Sequence, residues 1–173
     1  MTAIAAAWPG SPWSQRLYRI VDSTSFCRAI SMTATENSRS EWTTSQISSA
    51  KNLLMEPEEY EKRAGDFYTR CIARCYTAYQ KALRQSNACD FDDLLLLTVK
   101  LLARREDVLL QLRRGLTHLL VDEYQDTNSL QAKLVRLLGG EAMNVFAVGD
   151  EDQSIYRWRG ADVANILQFG REF

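Results

Sequence analysis

At 173 residues the chain has room for one ordinary domain, or for a small domain plus part of another. A hydrophobic share of 46% argues against global disorder, and no apolar run approaches the roughly 20 residues of a membrane span. The net charge of −1 is uneven, with 11 Lys/Arg against 8 Asp/Glu over residues 1–88 and 10 against 14 over 89–173; this excludes a strongly basic nucleic-acid footprint and leaves only a local groove for such binding.

Taken in chain order, residues 1–16 hold Pro9, Gly10 and Pro12 without any period, and a ragged lead-in is expected. The short Ala-rich stretch after Met1 lacks a basic region ahead of it, so no signal peptide is expected. Residues 17–50 carry weak helical signals between Ser/Thr-rich stretches such as Ser31 to Ser40. Pro57, Glu58 and Glu59 suit a helix start, since proline is tolerated in the first turn and acids favour the positive end of the dipole. Tyr60, Ala64, Phe67, Cys71, Cys75, Tyr79 and Leu83 then recur every three or four residues, predicting one long amphipathic helix over roughly 57–86 whose aromatic stripe is core. A second helix opens at Asp90-Phe91-Asp92-Asp93 and runs through Leu94–Leu102, apolar on most of its circumference and so expected to be buried. A short third helix over 106–114 stops at Gly115, a plausible residue just past a helix end.

The pattern then changes. Leu119-Leu120-Val121 predicts a short buried parallel strand ending in acid, Leu130 to Leu138 a helix ended by Gly139-Gly140, and Val145 to Val148 a second strand ending at Gly149-Asp150. Strand, helix, strand at this spacing is a βαβ unit, so the fold class is α/β. Both acidic motifs then fall at carboxyl ends of adjacent parallel strands, the edge where open α/β sheets bind ligands.

Cys27, Cys71, Cys75 and Cys89 form no C-x-x-C pair, and His118 is the single histidine, which argues against zinc and for reduced thiols in a cytoplasmic protein. Chemistry concentrates in two strings. In Asp122-Glu123-Tyr124-Gln125-Asp126-Thr127, continued strand geometry would send the two acids to opposite sides, one to hold hydrated magnesium and the other to approach a water. The competing assignment makes these acids part of a helix start, with Asp126 or Asn128 as cap. In the second string, Asp150-Glu151-Asp152 is a costly acidic turn unless a cation or dipole relieves it. Gln153 can donate to a phosphate oxygen and accept from water. Tyr156-Arg157-Trp158-Arg159, if extended, would put rings on one face for base stacking and guanidiniums on the other for phosphates; the alternative is rings in a core and arginines paired with nearby acids.

These two strings closely resemble motifs II and III of superfamily 1 DNA helicases of the UvrD/PcrA/Rep type. Asp90-Phe91-Asp92-Asp93-Leu94-Leu95 is similar to the segment returning that family's chain to its first motor domain. Ser49-Ala50-Lys51-Asn52 with Pro57 to Tyr60 is similar to its helical 1B insertion. The resemblance implies a partial RecA-like parallel sheet (residues 89–173, part of motor domain 1A) preceded by a mainly helical 1B-like segment (18–88), with 1–17 outside the match. It implies ATP and Mg²⁺ as cofactors, single-stranded or 3′-tailed duplex DNA as partner, and 3′ to 5′ translocation. By the same resemblance Asp122 would coordinate Mg²⁺, Glu123 would activate the hydrolytic water, and Gln153 would sense the γ-phosphate. Tyr156 and Trp158 would stack on bases, and Arg159 would link the DNA contact to the nucleotide site.

The sequence departs from the family at the phosphate loop. None of the eight glycines precedes a lysine, so no G-x-x-x-x-G-K-[ST] exists in it. An internal slice of a helicase, inactive as an isolated polypeptide, is therefore expected, with any missing motifs supplied by another chain. A non-catalytic module binding single-stranded DNA or a partner, or a gene remnant, stays open as the alternative.

Overall fold

The computed structural model describes residues 19–20, 37–140 and 144–173. The expected lead-in over 1–17, the segment 21–36 with Cys27, and residues 141–143 lie outside the described residues. Secondary structure runs β1 (Arg19–Ile20), α1 (Asn37–Asn52), α2 (Pro57–Arg63), α3 (Phe67–Gln85), β2 (Ala88–Cys89), α4 (Phe91–Arg104), α5 (Glu106–Arg114), β3 (His118–Val121), α6 (Ser129–Gly139), β4 (Asn144–Ala147) and α7 (Ala164–Glu172). Three single 3₁₀ turns, Tyr124–Asp126, Glu151–Gln153 and Arg157–Arg159, punctuate the last third. The class is α/β, with helices outweighing, among the described residues, two short parallel strand pairs, β1 with β2 and β3 with β4. The chain divides into two compact units, one of residues 1–51 and 55–94 and the other of 52–54 and 95–173.

In the first unit the expected single helix over 57–86 is two. Gly65 and Asp66 interrupt it: the Asp66 carboxylate accepts from the Thr69 N–H at 2.9 Å while the Thr69 hydroxyl accepts from the Asp66 N–H at 3.2 Å, a reciprocal cap that starts α3 anew. That new start also rotates the buried face. Ile72, Ala73, Tyr76, Tyr79, Gln80 and Leu83 point inward, whereas Phe67 and Cys75 are exposed. Ile47 and Ala50 of α1, with Tyr76, Tyr79 and Leu83 of α3, form the core, and Met55 and Tyr60 pack on it. The tyrosines do more than fill space, since the Tyr76 hydroxyl donates to the Met55 carbonyl at 3.0 Å.

A buried ionic cluster ties this unit together. Lys51, 0% exposed, lies 2.7 Å from Asp90 Oδ2 and 2.8 Å from Asp93 Oδ1. Tyr79 donates to the same Asp90 oxygen at 2.8 Å and Gln80 to Asp93 Oδ1 at 3.1 Å. Asp90 and Asp93 also accept from one another's backbone N–H groups at the start of α4, so both carboxylates are fully partnered as a buried charge requires.

In the second unit Leu96 and Val99 of α4 meet Leu130 of α6, with Leu54, Leu95, Leu134 and Leu137 around them. Leu94, Leu97 and Leu101 are exposed, so α4 buries one stripe rather than the whole circumference its leucine run suggested. Gly115 does follow α5, yet in right-handed geometry (φ −87°), not as a left-handed cap. The βαβ unit forms as expected: β3 and β4 run parallel in the register His118–Asn144 to Val121–Ala147, with α6 between them. Burial of its strands does not follow. Leu120 and Phe146, directly paired, are 73% and 61% exposed, because a parallel strand reads as continuously apolar when both faces are covered and here one face meets solvent.

Candidate functional site at the strand ends

Backbone hydrogen bonding between β3 and β4 runs past the last paired residues. Val148 N–H donates to the Val121 carbonyl at 2.8 Å and Tyr124 N–H to the Val148 carbonyl at 2.9 Å. Between these bonds the chain reverses at Glu123, which adopts the left-handed conformation (φ 52°, ψ 44°). That geometry costs a side-chain-bearing residue about 1–2 kcal/mol. The reversal sorts the motif by polarity. Asp122 and Glu123 stay exposed, while Tyr124 is fully buried against Phe169 in an edge-to-face pair at 5.3 Å and Gln125 is 1% exposed. Strand geometry therefore ends at Val121, and the expected opposite-facing acids give way to a tight turn in which Asp122 Oδ1 accepts from the Glu123 N–H at 2.9 Å.

Gln125 joins the two strand ends. Its Nε2 donates to Glu123 Oε2 at 2.6 Å and its Oε1 accepts from the Asp150 N–H at 3.0 Å. Gly149 leaves the room: a Cβ there would overlap Gln125 Oε1 and come within 2.7 Å of Ile166 Cδ1. Asp150 is then held on both oxygens, Oδ1 by the Asp152 N–H at 3.0 Å and Oδ2 by Gln153 Nε2 at 2.7 Å. The acidic turn is thus relieved locally by backbone and amide donors. Asp122 offers hard oxygen at the exposed strand end, which suits Mg²⁺, an ion that takes one or two carboxylates and completes its shell with water and phosphate oxygens.

The expected extended run at 156–159 is absent. Arg157–Arg159 form a 3₁₀ turn closed by Gly160, whose φ of 86° suits glycine, so strict alternation of ring and guanidinium faces does not arise. Tyr156 and Trp158 are nevertheless exposed, Trp158 at 73%. Arg159 lies on this turn by its backbone. The loop then returns to the first motif: Ala161 bridges Asn128, and Asp162 N–H donates to the Thr127 carbonyl at 3.0 Å. Asn165 Nδ2 donates to the same carbonyl at 2.9 Å. Asn128 is the cap of α6, accepting from the Gln131 N–H at 2.9 Å while Gln131 Oε1 accepts from the Asn128 N–H. The capping role thus falls to Asn128, while Asp122 and Glu123 stay outside the helix. The sequence places Gln125 and Thr127 in the carboxylate string without a role for either and does not single out Asn165; their signal is polar side chains inside or beside an otherwise apolar packing pattern.

Acids and amides gather at the carboxyl ends of two neighbouring parallel strands, the edge at which open α/β sheets commonly bind ligands. Residues 14–173 match the UvrD/REP helicase N-terminal domain, and the chain belongs to that family. It is 50% identical over 127 residues to the ATP-dependent DNA helicase PcrA of Bacillus subtilis, 46% to that of Leuconostoc citreum and 44% to that of Staphylococcus aureus strain Mu50. In each case the aligned part covers 73% of this chain and 17% of the relative's length. Among the described residues no helix is long and apolar enough to cross a membrane.

Proposed function

We propose that this chain carries the carboxylate and coupling motifs of an ATP-dependent 3′ to 5′ DNA helicase acting in the cytoplasm. In this reading residues 18–88 are the helical 1B-like insertion and 89–173 part of the first motor domain. The observation that carries the reading is the hydrogen-bonded continuity from Glu123 through Gln125 and Asp150 to Gln153 across two parallel strand ends. Asp122 would hold the magnesium ion, which supplies charge neutralisation at the nucleotide phosphates. Glu123 accepts a proton from the attacking water, and its fixed position is what a general base needs, worth ~10²–10⁴-fold. Gln153 senses the terminal phosphate by exchanging its Asp150 bond for a phosphate oxygen. Exposed Tyr156 and Trp158 stack on bases of single-stranded DNA at ~1–3 kcal/mol per base, and Arg159 joins that contact to the nucleotide side.

Phosphoryl transfer depends on positioning and charge stabilisation, and these 173 residues hold no G-x-x-x-x-G-K-[ST] loop. A polypeptide of these residues alone therefore turns over no ATP, and the loop and the second motor domain would come from elsewhere. The test is a transplant of the 127 aligned residues into B. subtilis PcrA in place of its own. DNA-stimulated hydrolysis and unwinding of a 3′-tailed duplex survive, and Glu123→Gln lowers hydrolysis ~10²–10⁴-fold. A folded chimera without ATP hydrolysis refutes the reading. The exposed Trp158 supports a second one, a non-catalytic module for single-stranded DNA. It predicts salt-sensitive oligonucleotide binding by the 173-residue chain, weakened by Trp158→Ala and indifferent to ATP.

A further inference from the structure

We propose that Gln125 is a positioning residue that locks the Glu123 carboxylate and transmits its state to the Asp150–Gln153 turn. The inference rests on the reading of Glu123 and Gln153 as nucleotide-facing groups, and it adds the group that couples them. Gln125 is buried while the two residues it bonds are exposed, and both ends of its amide are used: Nε2 to Glu123 Oε2 at 2.6 Å, Oε1 from the Asp150 N–H at 3.0 Å. The orientation of the amide is forced. Asp150 N–H can only donate and a Glu123 carboxylate only accept, so a flipped amide would set donor against donor and acceptor against acceptor. A neutral amide donates at one end and accepts at the other whatever the pH, without needing a shared proton. Asp150 continues the path, because its Oδ2 accepts from Gln153 Nε2 at 2.7 Å. At the buried Gln125 the two amide bonds polarise one another, so losing or recruiting the Glu123 carboxylate changes what the amide offers the Asp150 N–H and the turn that follows it. The absence of a side chain at Gly149 keeps the passage open for Oε1.

The test uses ¹H–¹⁵N NMR of the 173-residue chain without nucleotide, metal or DNA, so its outcome is independent of the chimera experiment. Glu123→Ala is expected to shift the Asp150 backbone N–H and the Gln153 side-chain amide. In the Gln125→Met background the same change leaves both signals in place, and Asp150 N–H exchange accelerates by about fivefold or more, the worth of one hydrogen bond. Gln125→Asn keeps the amide but is one methylene shorter and cannot hold both partners at once; the response to Glu123→Ala disappears there as well. A purely structural role for Gln125 would change stability without this selective loss of response. The proposal is overturned if Glu123→Ala leaves Asp150 and Gln153 unmoved in the otherwise native chain. It is also overturned if the shifts persist in a folded Gln125→Met chain or, where that variant does not fold, in Gln125→Asn.

Discussion

Replacing Lys51 with methionine is the sharpest test of how the first unit is held together. The ammonium group is fully buried and within 2.8 Å of oxygens on both Asp90 and Asp93, whose side chains are 2% exposed. At an effective dielectric near 20 each contact is worth about 6 kcal/mol of Coulomb attraction, most of it offset by the several kcal/mol that each ion loses on leaving water. Methionine fills the same space but strands two buried carboxylates, for which a cost of about 3–5 kcal/mol is expected. Against a typical domain stability of about 5–15 kcal/mol, that is a large share. Urea unfolding followed by far-ultraviolet circular dichroism reads it directly as a lower midpoint at unchanged slope. Adding Asp90→Asn and Asp93→Asn to Lys51→Met removes the stranded charges while preserving the acceptors that start α4, and most of the loss is recovered. A loss below about 1 kcal/mol, or costs that simply add in the triple variant, would refute the assignment of Lys51 as the counter-charge.

Gly149→Ala should destabilise by about 1–3 kcal/mol in thermal melting, since its Cβ overlaps Gln125 and Ile166, whereas Gly65→Ala, with open space around it, should be neutral or stabilising. Asn128→Ala removes the α6 cap and the 2.9 Å bond from its Nδ2 to Asn52 Oδ1, at an expected cost of about 1–2 kcal/mol by urea midpoint. Two carboxyls should titrate with opposite sign. Bonds from Thr69 hold Asp66 below the ordinary range near ~3.9, so its contribution is present above that value and lost as pH falls through its lower folded value. Burial pushes Asp92 up, so its folded form holds a proton longer, and stability falls as pH rises from the ordinary value through the raised one. Asp92→Asn should therefore raise the urea midpoint at neutral pH, with the gain fading below the ordinary value; a pH-independent difference would contradict this.

Where local rules dominate, the chain was readable. Pro57, first-turn acids and apolar periods located the start of α2 and the elements α4, α5, α6, β3 and β4, because each rests on backbone geometry and on neighbours within a few residues. The break at Gly65-Asp66 was legible in principle, as an aspartate three residues before a threonine, but the longer apolar period outweighed it. The pair β1–β2 was beyond reach, since two residues per strand show no period and the partners lie 69 positions apart.

The same division holds at the site. Sequence by itself determined that Asp122, Glu123, Asp150 and Gln153 stand at the ends of neighbouring strands, because an apolar run stops where charge begins and a helix of fixed rise returns the chain. Only tertiary structure decided that Glu123 turns left-handed, that Gln125 rather than an acid sits buried between the strands, and that the ring-bearing loop folds back onto Thr127 and Asn128. Those features depend on which donor meets which acceptor across 25 or more residues, and no local period encodes that pairing.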